Sequence, residues 1–369
     1  MDRRYFLKAG TALGLSVAGP ALAATGFKLI QSDDGLIMPV ELMGSTLKGV
    51  FDCGASHCIL DTKIATNLGI KAAKPLIGQA IYGDFNAGVT DPITCRIGDA
   101  DFLYPIIIAS LESAGLGADL LVGRNILQGT NLDLDAPNLR ASFQKSKPTS
   151  DMTPIDISVG KHGSLIIDIL IEGKSAKASL DSGSNTPLMI SKSWASDNDL
   201  LKSRALSSWI SGDLTGIHTI AMTTMKHVSL GSLLFTDVPA EISETQLSYE
   251  INLGLPFLER FRSFWDIPGG KLWVSATPKG LGAPFERERS GLAFERRNDI
   301  LKVVFVAPGS PGAESSFKEG DQIAKIDGIP VSSLTDSETQ KWKHEETRMS
   351  VRLTLANGEV RNLILRNYY

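Results

Sequence analysis

The chain is poor in cysteine: Cys53, Cys58 and Cys95 are the only three among 369 residues. That excludes a small scaffold knit by disulfides and leaves room for one bridge at most, with Cys58 and Cys95 as one pairing. His57-Cys58 beside Cys53 has no second Cys/His cluster to complete a zinc site, and none of the five histidines stands in an H-E-x-x-H arrangement. Neither a metal nor an organic cofactor is therefore expected. Positive charge is not in excess either. Lys+Arg 37 against Asp+Glu 41 leave a net charge of −4, which argues against a nucleic-acid partner. No run reaches the ~18 uninterrupted apolar residues of a spanning helix, so no stable membrane anchor is expected. Two nucleotide or nucleophile motifs fail on single positions. Gly54-Ala55-Ser56-His57-Cys58 lacks the closing glycine of a nucleophile elbow, and Gly173-Lys174-Ser175 has Asp168 where a phosphate loop needs glycine.

What is present is a globular composition, 43% hydrophobic and 21% charged, long enough for two or three domains. Residues 1–23 have the layout of an export signal: Arg3-Arg4-Tyr5-Phe6-Leu7-Lys8, a weakly apolar run, then Ala21-Leu22-Ala23 as a cleavage site. The Arg-Arg-x-Phe-Leu-Lys stretch resembles the twin-arginine signal, which implies a periplasmic or secreted protein.

The body is written twice. A shift of 129 residues lays Gly44 on Gly173, Asp52 on Asp181, Gly54 on Gly183 and Gly83-Asp84 on Gly212-Asp213. With a small drift, Gly123 then meets Gly254 and Asp135 meets Asp266. Such self-similarity indicates a repeated unit. The matches fall on Gly, Asp and Pro, the residues that control backbone geometry and chemistry. Each copy runs as short apolar strands punctuated by turns. The expected organisation is two homologous β lobes, 24–147 and 151–280, joined by a polar linker and followed by a third unit, 285–369. The charged run Glu286-Arg287-Glu288-Arg289 is expected to be a solvated surface segment.

Each copy carries an apolar strand ending in Asp-x-Gly: Val50-Phe51-Asp52-Cys53-Gly54 and Ser179-Leu180-Asp181-Ser182-Gly183. A carboxylate at the end of a buried strand is costly unless it is paired or hydrogen-bonded. An approximate twofold relation between lobes would bring the two side chains together. Two carboxyls in contact cannot both ionise and so share a proton. One then activates a water while the other protonates a carbonyl oxygen.

These motifs resemble those of the aspartic peptidases of the pepsin and retroviral type. Asp52-Cys53-Gly54-Ala55-Ser56 is similar to their Asp-Thr-Gly-Ala-Ser, and Asp181-Ser182-Gly183-Ser184-Asn185 to Asp-Ser-Gly-Ser-Asn. Leu121-Val122-Gly123-Arg124-Asn125 and Leu253-Gly254 resemble the apolar-Gly stretches that pack behind the catalytic loops. The resemblance implies a mainly β molecule with two retropepsin-like β-barrel lobes. It implies Asp52 and Asp181 as the catalytic dyad, with Cys53, Gly54, Ser182, Gly183, Gly123 and Gly254 supporting the loops. Tyr82, Gly83 and Gly212 then fall in flaps over an extended peptide substrate. Cys53 departs from the family's Thr or Ser, whose hydroxyl ties the loops together, because a thiol is a weak donor. That departure keeps a second reading open, a catalytically inactive peptide-binding or scaffold protein. Ala55 also withholds from Asp52 a hydroxyl that Ser184 offers Asp181, making Asp52 the expected protonated partner.

From 285 onward the series Gly291-Leu292-Ala293-Phe294, Ser310-Pro311-Gly312-Ala313, Gly320-Asp321-Gln322-Ile323 and Ile326-Asp327-Gly328 resembles a bacterial PDZ domain, a small β-barrel with short helices. The resemblance implies that a peptide C-terminus adds as a strand along Gly291, Leu292, Ala293 and Phe294.

Overall fold

A computed structural model describes residues 26–32, 34–112, 115–144, 148–245, 247, 249–276 and 278–369. The export signal expected over residues 1–23 lies outside the described residues. The molecule is mainly β, and no described α-helix exceeds six residues. A ten-stranded sheet forms the first lobe, an eight-stranded sheet the second, and a six-stranded sheet the C-terminal unit. No described helix is long and apolar enough to cross a membrane.

Another six-stranded sheet draws strands from both lobes. Asn131–Asp135 of the first pairs antiparallel with Phe261–Asp266 of the second, setting Leu132 opposite Trp265 and Asp135 opposite Arg262. Trp265 is fully buried and meets Phe51 edge-to-face at 6.0 Å. Since Phe51 precedes Asp52, the shared sheet braces the end of the strand that carries the first carboxylate.

Within each lobe the strand ending in Asp is flanked by a parallel neighbour. Leu120–Gly123 runs beside Ser45–Asp52 with Gly123 opposite Asp52, and Ile251–Gly254 runs beside Lys174–Asp181 with Gly254 opposite Asp181. Every residue of these two neighbours is buried. Parallel strands are covered on both faces, and their largely apolar character, with Asn252 the exception, follows from that.

The C-terminal unit closes its own core of Leu292, Leu301, Val303, Ile323, Trp342 and Leu353. Its edge strand Leu292–Arg297 pairs only with Ile300–Val306 among described strands. The charged run before it corrects the expectation of a solvated segment, because Arg287, Glu288 and Arg289 are buried. Arg289 donates to the carbonyls of Glu345, Glu346 and Arg348 and to that of Leu365. Arg287 reaches Thr224 of the second lobe at 2.7 Å and the carbonyl of Asp237. A guanidinium with five donors can be buried when backbone carbonyls take up its N–H groups.

The cysteines are buried free thiols. The Cys58–Cys95 bridge left open by the sequence is not formed; Cys58 instead donates from its backbone N–H to Asn125 Oδ1 at 3.1 Å.

Candidate active site

Beyond Phe51 and Leu180 the chain turns within each Asp-x-Gly. Asp52 Oδ1 accepts the Ala55 N–H at 2.9 Å, and Asp181 Oδ1 accepts the Gly183 N–H at 3.0 Å. The two loops face each other so closely that each glycine lies against the other lobe's carboxyl. A methyl group on Gly54 would sit 2.3 Å from Asp181 Oδ1, and one on Gly183 would sit 2.5 Å from the Asp52 carboxyl carbon. Glycine is required at both positions for this close approach.

Hydrogen bonds cross between the loops. The Ser182 hydroxyl donates to the Phe51 carbonyl at 2.8 Å and accepts from the Cys53 N–H at 2.9 Å. In the other direction the Ser182 N–H donates to Cys53 Sγ at 3.3 Å. The grip is thus built mainly by Ser182, with the thiol serving as an acceptor. Burial pushes the Cys53 thiol up to about 12, so it stays protonated.

Gly123 and Gly254 back the loops as narrow spacers. A methyl on Gly123 would strike the His57 carbonyl at 2.3 Å, and one on Gly254 would strike the Thr186 carbonyl. Beside Gly123, Arg124 is buried and donates to the Gly54 carbonyl at 2.5 Å and to the His162 carbonyl.

Burial, followed by the neighbouring charge of Asp181, raises the Asp52 carboxyl to about 7, against the lowering effect of the Ala55 N–H. The side-chain donor to Asp181 was not legible in the sequence. Asn252 Nδ2 bonds Asp181 Oδ2 at 2.6 Å, and Asn252 is itself held through Oδ1 by the Ser179 hydroxyl at 2.9 Å. Ser184, the donor expected from the sequence, directs its hydroxyl to the Thr186 carbonyl at 3.4 Å. Only the apolar-apolar-Gly pattern, broken by Asn252, hinted at this role.

Two hairpins, one from each lobe, meet at their tips. The strands Lys74–Gln79 and Asp84–Val89 carry Tyr82 and Gly83 at their tip. Gly212 lies in the opposite hairpin, where Ser207–Asp213 pairs with Gly216–Leu230. The tips meet: the Tyr82 N–H donates to Asp213 Oδ2 at 2.9 Å, and the Tyr82 ring lies 4.3 Å from that of His218.

In the C-terminal unit, Gly291, Leu292, Ala293 and Phe294 lie at the start of the edge strand. Glu288 accepts from the N–H groups of Ser290 at 3.0 Å and Gly291 at 2.6 Å. The N–H of Leu292 donates to the Ser290 hydroxyl at 3.1 Å. The Leu292 carbonyl accepts from the buried Lys343 at 3.3 Å, a cation 51 residues downstream that spacing could not single out. This unit rests on the second hairpin, with Ser207 donating to the Pro308 carbonyl at 2.8 Å and Trp209 edge-on to Phe305 at 5.9 Å.

Residues 289–362 match the PDZ domain family, so the C-terminal unit is a PDZ domain. The molecule therefore consists of two β lobes and a PDZ domain. No curated protein matches the chain. Among solved structures, the crystal structure of basic 7S globulin from soybean is similar with a TM-score of 0.43 at 10% identity, over 70% of this chain and 96% of that chain.

Proposed function

We propose that the protein is an exported aspartic endopeptidase. Asp52 and Asp181 share a proton, and a water between them attacks a peptide carbonyl carbon as the ionised carboxylate takes its proton. Asp52 holds the proton and donates it to the carbonyl oxygen. Asp181, with the Gly183 N–H and Asn252 on its oxygens, carries the negative charge, because hydrogen bonds to a carboxylate favour its ionised form. The peptide lies extended beneath the two hairpins. The observation that carries this reading is the mutual seating of each carboxyl on the other lobe's glycine. The PDZ domain binds a peptide C-terminus along Leu292–Phe294 by strand addition, next to the hairpin that covers the cleft.

The test is hydrolysis of a peptide library by wild type, Asp52→Asn and Asp181→Asn. Loss of roughly 10³-fold or more in each variant is expected where two groups act as a unit. Undiminished cleavage in either variant removes the dyad. Cys53 in place of a hydroxyl residue favours a second reading, a peptide-binding protein without hydrolysis. That reading is chosen if wild type and variants bind peptides alike and none cleaves them.

A further inference from the structure

The strand registers match the sheets of the two lobes residue by residue. In the first lobe Leu121 pairs with Val50 and Ile59, and Ile59 pairs with Ile107. In the second, Asn252 pairs with Ser179 and Met189, and Met189 pairs with Glu241. Val50, Leu121 and Ile107 therefore have Ser179, Asn252 and Glu241 as counterparts. The first set packs with Ile37 and Ile59 into one apolar cluster. The second set is polar, and it ends in a carboxylic acid, Glu241.

Glu241 is 3% exposed. Its Oε1 accepts from the Thr186 hydroxyl at 2.5 Å, while Oε2 is buried and makes no well-formed hydrogen bond among the described residues. Thr186 belongs to the loop that carries Asp181. Burial pushes the acid up to about 7, with the Thr186 and Ser211 hydroxyls opposing. A buried acceptor left open is costly and is stabilised most by a charged donor.

The hairpin tips cross to meet these sets with matched chemistry. Leu214, at the tip of the second lobe's hairpin, packs on the first lobe's apolar cluster. Tyr82, at the tip of the first lobe's hairpin, feels the charges of Glu241 and Asp213, and burial together with those charges raises its phenol. A substrate that lifts the hairpins replaces a leucine on one side and a phenol on the other.

We infer that Glu241 forms the base of an acidic subsite taking a lysine or arginine side chain of the substrate, opposite an apolar subsite lined by Val50, Ile59, Ile107 and Leu121. This rests on the proposed peptidase reading and adds the substrate class: peptides with a basic and an apolar residue flanking the site of attack.

The experiment pairs two peptides that differ only in lysine against norleucine at the basic position. Each is assayed with wild type, Glu241→Gln and Glu241→Leu. Using the ratio between peptides on one variant cancels any loss of folded protein. Wild type is expected to prefer lysine, and both variants to lower that ratio by about 10- to 100-fold, as when a site's polar partner is removed. An unchanged ratio in both variants, or no lysine preference in wild type, overturns the inference while leaving Asp-dependent cleavage intact. If wild type cleaves neither peptide, the peptidase reading fails separately. The Kd ratio of the same peptides on Asp52→Asn, with and without Glu241→Leu, then decides the subsite in the same way.

Discussion

Asn252 donates to Asp181 at 2.6 Å, and the residue in the equivalent place beside Asp52 is Leu121. One amide thus breaks the symmetry of a duplicated site. A charge-assisted hydrogen bond contributes about 1.5–3 kcal/mol, so Asn252→Leu is expected to lower kcat/KM by roughly 10- to 100-fold. Loss of the donor changes the hydrogen bonding of the proposed dyad, and the acidic limb of the pH–rate profile is expected to move. A purely structural role for Asn252 would alter Tm and leave that limb in place.

In the proposed mechanism, the raised carboxyl of Asp52 is expected to set the other limb. As pH rises through about 7 the shared proton leaves and cleavage falls. The same shift affects stability. A folded-state value above the ordinary carboxylate range means that the folded protein holds the proton more tightly. That favourable contribution is present at about pH 4 and is lost as pH rises through about 7. Asp52→Asn should therefore gain stability relative to wild type as pH rises from about 4 to about 8, a range that spans this window. Urea midpoints of the two proteins across that range test the sign.

Cys53→Thr supplies the hydroxyl that the first loop lacks. The Ser182 N–H keeps an acceptor, and a new donor becomes available to the opposite strand, as the Ser182 hydroxyl already is to Phe51. A net gain of about 1 kcal/mol is expected for one added hydrogen bond, measured as a higher urea midpoint with peptide cleavage retained. A lower midpoint would show that the buried pocket fits only sulfur.

Thiol reagents offer an independent check on the packing. All three cysteines are buried, and burial pushes the Cys53 and Cys58 thiols up to about 12 and Cys95 up to about 11. Native protein is expected to label slowly at all three sites, with three equivalents reacting after unfolding. Two equivalents fewer would reveal a bridge.

Arg289 ties the chain entering the PDZ domain to four backbone carbonyls. Arg289→Met orphans those acceptors, and each one left buried and unsatisfied costs about 1–3 kcal/mol. Thermal unfolding should show the PDZ domain melting earlier, while Glu286→Gln, on an exposed side chain, leaves Tm nearly unchanged.

The paired Asp-x-Gly loops, the duplication and the PDZ series were legible in the chain because glycine and aspartate at fixed spacing constrain the backbone locally. The apolar runs before Asp52 and Asp181 likewise announced buried strands. The charged run through Arg287 and Arg289 misled, since its composition suits solvent. Whether a charge is buried depends on carbonyls brought from 50 to 82 residues away.

By itself, the order of amino acids determined that two like half-sites exist and which side chains end their strands. Only the tertiary structure decided how those halves differ. The places of Asn252 beside Asp181 and of Glu241 beside Thr186 come from strand register across the sheet, and a hydrogen bond or a desolvated acid is defined by its neighbours in space, which chain order does not specify.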